Sequence, residues 1–299
     1  MSNALRRRRL AATTRLVGLR AGFRVLEVVA PRAAGARAFA LWCTLPDNAG
    51  RRKDFRPGPG DVVRVPAARG GEVVAEIWGD GPTVYLVHGW GGWRGQLGAF
   101  VQPLVDAGYR VVGIDAPGHG DADPSVLGTG KGTLIEVVEA LEVVGAHLGE
   151  AAGVIAHSMG TTATAMAVRS SVSAASLVLI APNHDFDDIT RDFARVLGLS
   201  ERTRTLLHDA VEDFVRRPIS DFDLQPLGSD GGLPPTLLLH DRLDKETPYD
   251  VSVGLAASWP TATLVTTEGL GHQRILADAG TVERAVGHIA QHVPVGERI

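Results

Sequence analysis

Val154-Ile155-Ala156-His157-Ser158-Met159-Gly160-Thr161-Thr162 decides how this chain is read. An apolar run ends in a small residue, Ala156. Ser158 follows two positions on, and a second small residue, Gly160, stands two beyond it. An alanine-rich, helix-prone segment comes next. This is the layout of a nucleophile elbow, where a strand turns sharply into a helix and holds a serine hydroxyl up at the turn. Small residues are needed on both sides because the strained backbone runs close to its neighbours. The usual pattern is G-x-S-x-G, and Ala156 takes its first place here. A serine between small residues also arises by chance, so the remainder of the chain must decide.

A serine hydroxyl is a weak nucleophile until a base removes its proton. The base is normally a histidine, oriented in turn by a carboxylate. Both are expected in loops after late strands. The apolar run Thr236 to Leu239 leads into His240-Asp241-Arg242-Leu243-Asp244-Lys245-Glu246-Thr247-Pro248. Thr263 to Thr267 leads into Glu268-Gly269-Leu270-Gly271-His272. Asp241 and Asp244 both compete for the acid position. Upstream, Thr83 to Val87 ends in His88-Gly89-Trp90-Gly91-Gly92, and Val111 to Ile114 ends in Asp115-Ala116-Pro117-Gly118-His119-Gly120.

The elements between these motifs alternate. Strands are expected at 61–65 and 73–78, joined by a hairpin turn through Gly70-Gly71, and then at 83–87, 111–114, 154–156, 177–180, 236–239 and 263–267. Helices are expected at 96–107, 133–148, from the elbow to Arg169, 249–258 and 281–291. Strands separated by helices make a mostly parallel central sheet covered on both faces. The alternation lapses from 184 to 233. Only helices are expected there, at 187–197 and at 200–217, the second capped by Ser200 and closed by Pro218. Such an insertion sits most simply as a helical cap above the strand ends, where ligands bind in open α/β sheets. The domain organisation expected is a basic helical extension and linker at 1–60, a core at 61–183 and 234–299, and a cap at 184–233.

With these motifs in order, the chain from about Asp61 onward resembles the α/β-hydrolase superfamily, in particular bacterial serine hydrolases of the esterase and lipase-like kind. The resemblance rests on His88-Gly89-Trp90, Ala156-His157-Ser158-Met159-Gly160, Asp244 within an H-x-x-x-D-x-x-x-P stretch, and Gly271-His272. Asp115 to Gly120 also looks like the family's D-x-P-G-H-G loop. The resemblance implies that Ser158 is the nucleophile, His272 the base and Asp244 the orienting acid. It implies an oxyanion hole made by the N–H groups of Met159 and Trp90. It favours Asp244 over Asp241, although Asp241 stands where the family often has glycine. The activity implied is hydrolysis of a carboxylic ester on a small acyl substrate. The same triad also serves thioesters, lactones, amides, carbon–carbon bonds and acyl transfer, and the fold is also used by non-catalytic binding proteins.

The other histidines have plainer expected roles. His157 is a structural residue of the elbow, and His88 and His119 fix loops. His184 opens the cap. His147, His208, His288 and His292 lie within helices. No H-E-x-x-H, Cys/His cluster, Walker sequence or strand-borne G-x-G-x-x-G occurs, so neither metal nor other cofactor is expected.

The 299 residues carry a net charge of -4 and one cysteine, Cys43. This composition suggests no nucleic-acid partner and a cytoplasmic, reducing setting. Charge is unevenly spread. Residues 1–56 hold 13 basic and three acidic residues, roughly +10. Leu16, Leu19, Phe23, Leu26 and Val29 recur at helical spacing among arginines, and Pro31 breaks the segment. Two readings of this arm stay open: an extension packed on the protein surface, and a weak contact with an anionic membrane surface. Arg15, Arg20 and Arg24 interrupt any signal-peptide core.

Overall fold

The computed structural model describes residues 3–46, 53–183 and 185–295. The chain opens with α1 (Asn3–Val29) and α2 (Pro31–Trp42). Pro31 occupies the first position of α2. Proline fits there because its missing N–H would have no intrahelical acceptor. The strands follow as β1 (Asp61–Pro66), β2 (Glu72–Trp78) and β3 (Thr83–Val87), then α3 (Val101–Asp106), β4 (Arg110–Asp115), α4 (Leu134–Leu148), β5 (Ala151–His157), α5 (Met159–Ser170) and β6 (Leu177–Ile180). Next come α6 (Phe186–Leu197), α7 (Glu201–Val215), α8 (Leu224–Ser229), β7 (Thr236–Asp241), α9 (Tyr249–Ser258), β8 (Ala262–Thr267), α10 (Gly271–Arg274) and α11 (Ala279–His292). Ser200 caps α7 as expected, its side chain accepting from the Thr203 N–H.

The eight strands form one sheet in the order β1-β2-β4-β3-β5-β6-β7-β8. β1 and β2 pair antiparallel, β2 joins β4 antiparallel, and the remaining pairs are parallel. β3, β5, β6 and β7 are buried along their whole length. That pattern belongs to parallel strands covered on both faces. β1 and β8, at the two edges, are largely exposed or half-buried. The sheet carries the site because β3, β5, β7 and β8 each end in a loop that bears one candidate residue.

Two expectations about helices need correction. The segment expected to be one helix at 96–107 is a 3-10 stretch, Arg94–Phe100, followed by the short α3. A Cβ on Gly98 would lie 2.3 Å from the backbone N of Arg56, and Phe55 N–H donates to Gly95 O. The crossing chain and its glycines hold this stretch tight. The lapse after Pro218 also holds a 3-10 turn, Ile219–Phe222, and α8, elements too short to show a periodic apolar face.

The chain divides into two compact units, Met1–Thr44 with Asp185–Phe222, and Leu45–His184 with Asp223–Ile299. In the first, Trp42 packs edge-on against Phe186 and Phe193, with ring centroids 5.4 and 5.2 Å apart. Phe39 meets Phe214, and Gly35 leaves room for Leu206. Phe186, Phe193, Leu206 and Phe214 of the inserted helices are therefore engaged in packing on α2. In the second unit the sheet core gathers Leu86, Leu97, Phe100, Ile155, Val178 and Leu239.

A buried ion cluster fixes the loop after β4 in this second unit. The Arg94 side chain is only 4% exposed and reaches Glu76, Asp115 and Asp121. Its backbone N–H also donates to Asp115 Oδ1 at 2.7 Å. Burial alone would raise the Glu76 carboxyl, but the Gly60 N–H and the Arg94 and Arg56 guanidinium groups hold it below its usual range. Removing one partner from a buried ion network strands the rest without compensation. Arg94→Ala is expected to destabilise the protein by about 3–5 kcal/mol. Chemical denaturation of the two proteins measures it, and a loss below about 1 kcal/mol would contradict a buried, uncompensated cluster.

Candidate active site

The elbow is where the sequence places it. β5 ends at His157 and α5 starts at Met159, and between them Ser158 has φ 53° and ψ -125°. A non-glycine residue with positive φ is strained and persists only where its surroundings hold it. Ser158 N–H donates to Ile180 O at 2.9 Å, and Thr161 Oγ1 donates to Ser158 O at 2.6 Å. The glycines around it answer to close approach. A Cβ on Gly89 would lie 2.9 Å from Ser158 Cβ, and one on Gly160 would lie 2.5 Å from His88 O. The loop after β3 therefore lies directly against the elbow, and larger residues at either position would push the two apart.

Asp244 lies in the loop after β7 and His272 at the start of α10, after β8. Asp244 Oδ2 accepts from His272 Nδ1 at 2.7 Å. That bond puts the ring proton on Nδ1, which leaves the Nε2 lone pair of the neutral ring open to take a proton. Burial alone would raise the Asp244 carboxyl. Hydrogen bonds from His240 and His272 and from the Glu246 N–H outweigh it and hold Asp244 far below the usual carboxylate range. Asp244 thus stays ionised at every ordinary pH.

Asp241 is spent otherwise. Its Oδ2 accepts from the Leu270 N–H at 2.8 Å and from Thr267 Oγ1 at 3.0 Å, and its Oδ1 accepts from the Leu243 N–H at 3.0 Å. Asp241 ties the β7 loop to the β8 loop, and Asp244 reaches the histidine.

His157 touches the same imidazole from below. Its Nε2 donates to His272 O at 3.0 Å, and the two rings lie 4.5 Å apart. Burial, then the neighbouring His272, push His157 down to about 3, so it stays neutral. Among the described residues no hydrogen bond joins Ser158 Oγ to His272. Such bonds are often long before substrate binds.

The two N–H groups assigned to an oxyanion are both uncommitted. Met159 opens α5, so its N–H has no intrahelical acceptor. Neither it nor the Trp90 N–H donates to another group among the described residues. His88 holds the Trp90 loop in place. Its Nδ1 donates to Gly89 O at 2.8 Å, while its Nε2 accepts from the Ala116 N–H at 3.4 Å. The Trp90 ring leans edge-on against His119.

With this geometry in view, the comparisons with known proteins are specific. A match to the family described as "Alpha/beta hydrolase family" covers residues 84–285. The chain belongs to that family. A 2-hydroxy-6-oxononadienedioate/2-hydroxy-6-oxononatrienedioate hydrolase of a Pseudomonas species is 27% identical over 249 residues, covering 69% of this chain and 83% of that protein. The dihydrolipoyllysine-residue acetyltransferase component of the acetoin cleaving system of Cupriavidus necator is 36% identical over 124 residues. That match takes in 41% of this chain and only 30% of the relative's length. An esterase from Exiguobacterium antarcticum shares the fold with a TM-score of 0.58 at 17% identity, over 76% of this chain and 98% of its own.

Several residues around this candidate site are given no role by the sequence, although His240 opens the H-x-x-x-D-x-x-x-P stretch. Thr247 Oγ1 donates to Asp244 Oδ2 at 3.2 Å and lies 3.3 Å from His272 Nδ1. His240, fully buried, lies 2.7 Å from Ser252 Oγ through Nδ1 and places Nε2 3.5 Å from Asp244 Oδ2. Glu246, mostly exposed, sets Oε2 3.8 Å from His272 Nε2. Thr247 and Glu246 follow the acid within its own loop, and only the fold shows that this loop turns back over the imidazole. His288 lies near Pro235 O, and His208, in the first unit, near Thr190. His184 lies outside the described residues. Among those residues no helix is long and apolar enough to cross a membrane.

Proposed function

We propose that this α/β-hydrolase cleaves carboxylic esters through a Ser158–His272–Asp244 acyl-enzyme mechanism. One observation carries the proposal: Asp244 accepts from His272 Nδ1 at 2.7 Å while Ser158 stands at a strained elbow that opens α5. In the first half-reaction Ser158 Oγ bonds to the acyl carbon and gives its proton to His272 Nε2. The carbonyl oxygen takes the negative charge and is met by the Met159 and Trp90 N–H groups. The carbon–oxygen bond to the alcohol then breaks, and the departing alkoxide takes the proton back from His272. In the second half, water attacks the acyl carbon, loses its proton to His272 and releases the acid with Ser158 restored. Asp244 keeps the imidazole in the required tautomer and steadies its charged form.

A second reading has one finding behind it. The Pseudomonas relative, matched over 83% of its length, is named for an oxo-dienedioate substrate that contains no ester. The same serine, histidine and oxyanion donors suit attack on a ketone carbonyl. The experiment compares p-nitrophenyl esters of graded acyl length with vinylogous keto diacids, and reads the site of a fluorophosphonate adduct by peptide mass. The ester proposal expects turnover of the esters and the adduct on Ser158. Wild-type protein that takes no adduct and hydrolyses no ester would overturn it, and preference for the keto diacids would favour the second reading.

A further inference from the structure

The exposed apolar surface of this chain is concentrated on one helix. Of the nine large apolar side chains exposed among the described residues, four lie on α1: Val17 (59%), Val25 (61%), Val28 (81%) and Val29 (71%). An α-helix turns about 100° per residue, so Val17, Ala21, Val25 and Val28 fall in one stripe along it. Gly18 and Gly22 lie beside that stripe, and a Cβ on either would meet nothing within 4 Å. Among the described residues these side chains stay exposed. The opposite face is packed within the first compact unit. Phe23 is buried, Arg20 Nε donates to Val196 O at 3.0 Å, and Glu27 accepts from the Ser200 N–H and Oγ. The packed reading of the arm accounts for this face and leaves the valine face to be explained.

The charges around the stripe favour one kind of partner. Residues 1–44 contain nine arginines and a single acid, Glu27, whose carboxylate is turned to Ser200. Arg15 and Arg24 are exposed, and helical geometry sets them on opposite flanks of the stripe. Neither forms an ion pair among the described residues. A second copy of this helix would bring like charges face to face. An anionic lipid surface would accept the arginines among its headgroups and the valines at the boundary of its acyl chains.

We propose that the exposed face of α1 docks this protein on an anionic lipid surface, lying in the interface with Val17, Val25 and Val28 inward and Arg15 and Arg24 at the headgroups. The docking is reversible, because the apolar stripe is narrow and each arginine near such a surface contributes only about fivefold in affinity. It does not depend on the chemistry at Ser158.

Vesicle flotation of the full chain tests it, with phosphatidylcholine vesicles and with phosphatidylcholine mixed with phosphatidylglycerol. The full chain is expected to float with the mixed vesicles at low salt, to remain behind with phosphatidylcholine alone, and to be released as salt rises. The R15Q/R24Q pair is expected to weaken binding by about fivefold for each arginine, and V25E/V28E by about tenfold or more. All four positions are exposed, so matched circular dichroism and thermal unfolding verify that the variants are folded. Failure to float with the mixed vesicles would overturn the proposal, as would V25E/V28E binding like the unaltered chain. Light scattering on a sizing column supplies the remaining outcome: a lipid-free dimer that V25E/V28E converts to monomer would assign the face to a second copy instead.

Discussion

Ser158→Ala is expected to lower kcat by about 10⁴- to 10⁶-fold and to abolish fluorophosphonate labelling, with little change in folding stability. The size follows from the elbow. In the proposed mechanism Ser158 Oγ forms the acyl bond, from the end of β5 and against the Gly89 loop. Alanine keeps the backbone, and the Ile180 carbonyl still receives the N–H of residue 158. Among the described residues the hydroxyl forms no bond that holds the fold together, and alanine does not deepen the strain of the positive φ. Residual turnover above the uncatalysed rate is expected, because the Met159 and Trp90 N–H groups remain to stabilise an oxyanion for a water attack. Steady-state kinetics beside thermal unfolding separates the two effects. A variant that unfolds far more easily would mean that Ser158 is structural, and a variant that keeps wild-type turnover would remove it from the chemistry.

What the sequence reveals is governed by how local each physical constraint is. Ser158, Gly160 and Gly89 announce themselves because a strained turn and a close backbone approach admit few residue types. The strands do so because parallel strands buried on both faces read as short apolar runs, as Leu177–Ile180 does. The eight-stranded, mostly parallel sheet with its antiparallel leading hairpin follows from that rhythm. The ion cluster does not. Arg94 meets Glu76 and Asp115 from positions 18 and 21 residues away, across three elements, and in sequence it is an arginine two residues before an expected helix. Packing of Trp42 on Phe186 and Phe193 is hidden for the same reason, since partners so far apart share no periodicity. In sequence the inserted helices read as a cap above the strand ends. In the fold their Phe186, Phe193, Leu206 and Phe214 face α2.

The choice between Asp241 and Asp244 is the point at which sequence leaves two candidates three residues apart, and it yields the second large prediction. Asp244→Asn is expected to lower kcat about 10⁴-fold with KM nearly unchanged. The asparagine amide would donate to His272 Nδ1, so the ring proton would move to Nε2 and the lone pair would point away from Ser158. Asp241→Asn is expected to behave in the opposite way. One of its oxygens becomes an N–H₂ group facing donors, either the Leu243 N–H or the pair formed by Leu270 and Thr267. That loses stability, about 1–3 kcal/mol, while kcat falls by less than about tenfold. The pH dependence gives an independent check. Asp244 has a folded-state pKa far below its unfolded value, so its stabilising contribution is complete above the unfolded carboxylate range and is lost only as pH falls toward the folded value. Near neutral pH it does not titrate, and the acid limb of the rate profile therefore cannot come from Asp244. If Asp241→Asn lost the activity and Asp244→Asn kept it, the hydrogen bond at 2.7 Å would be a bystander and the triad would have to be reassigned.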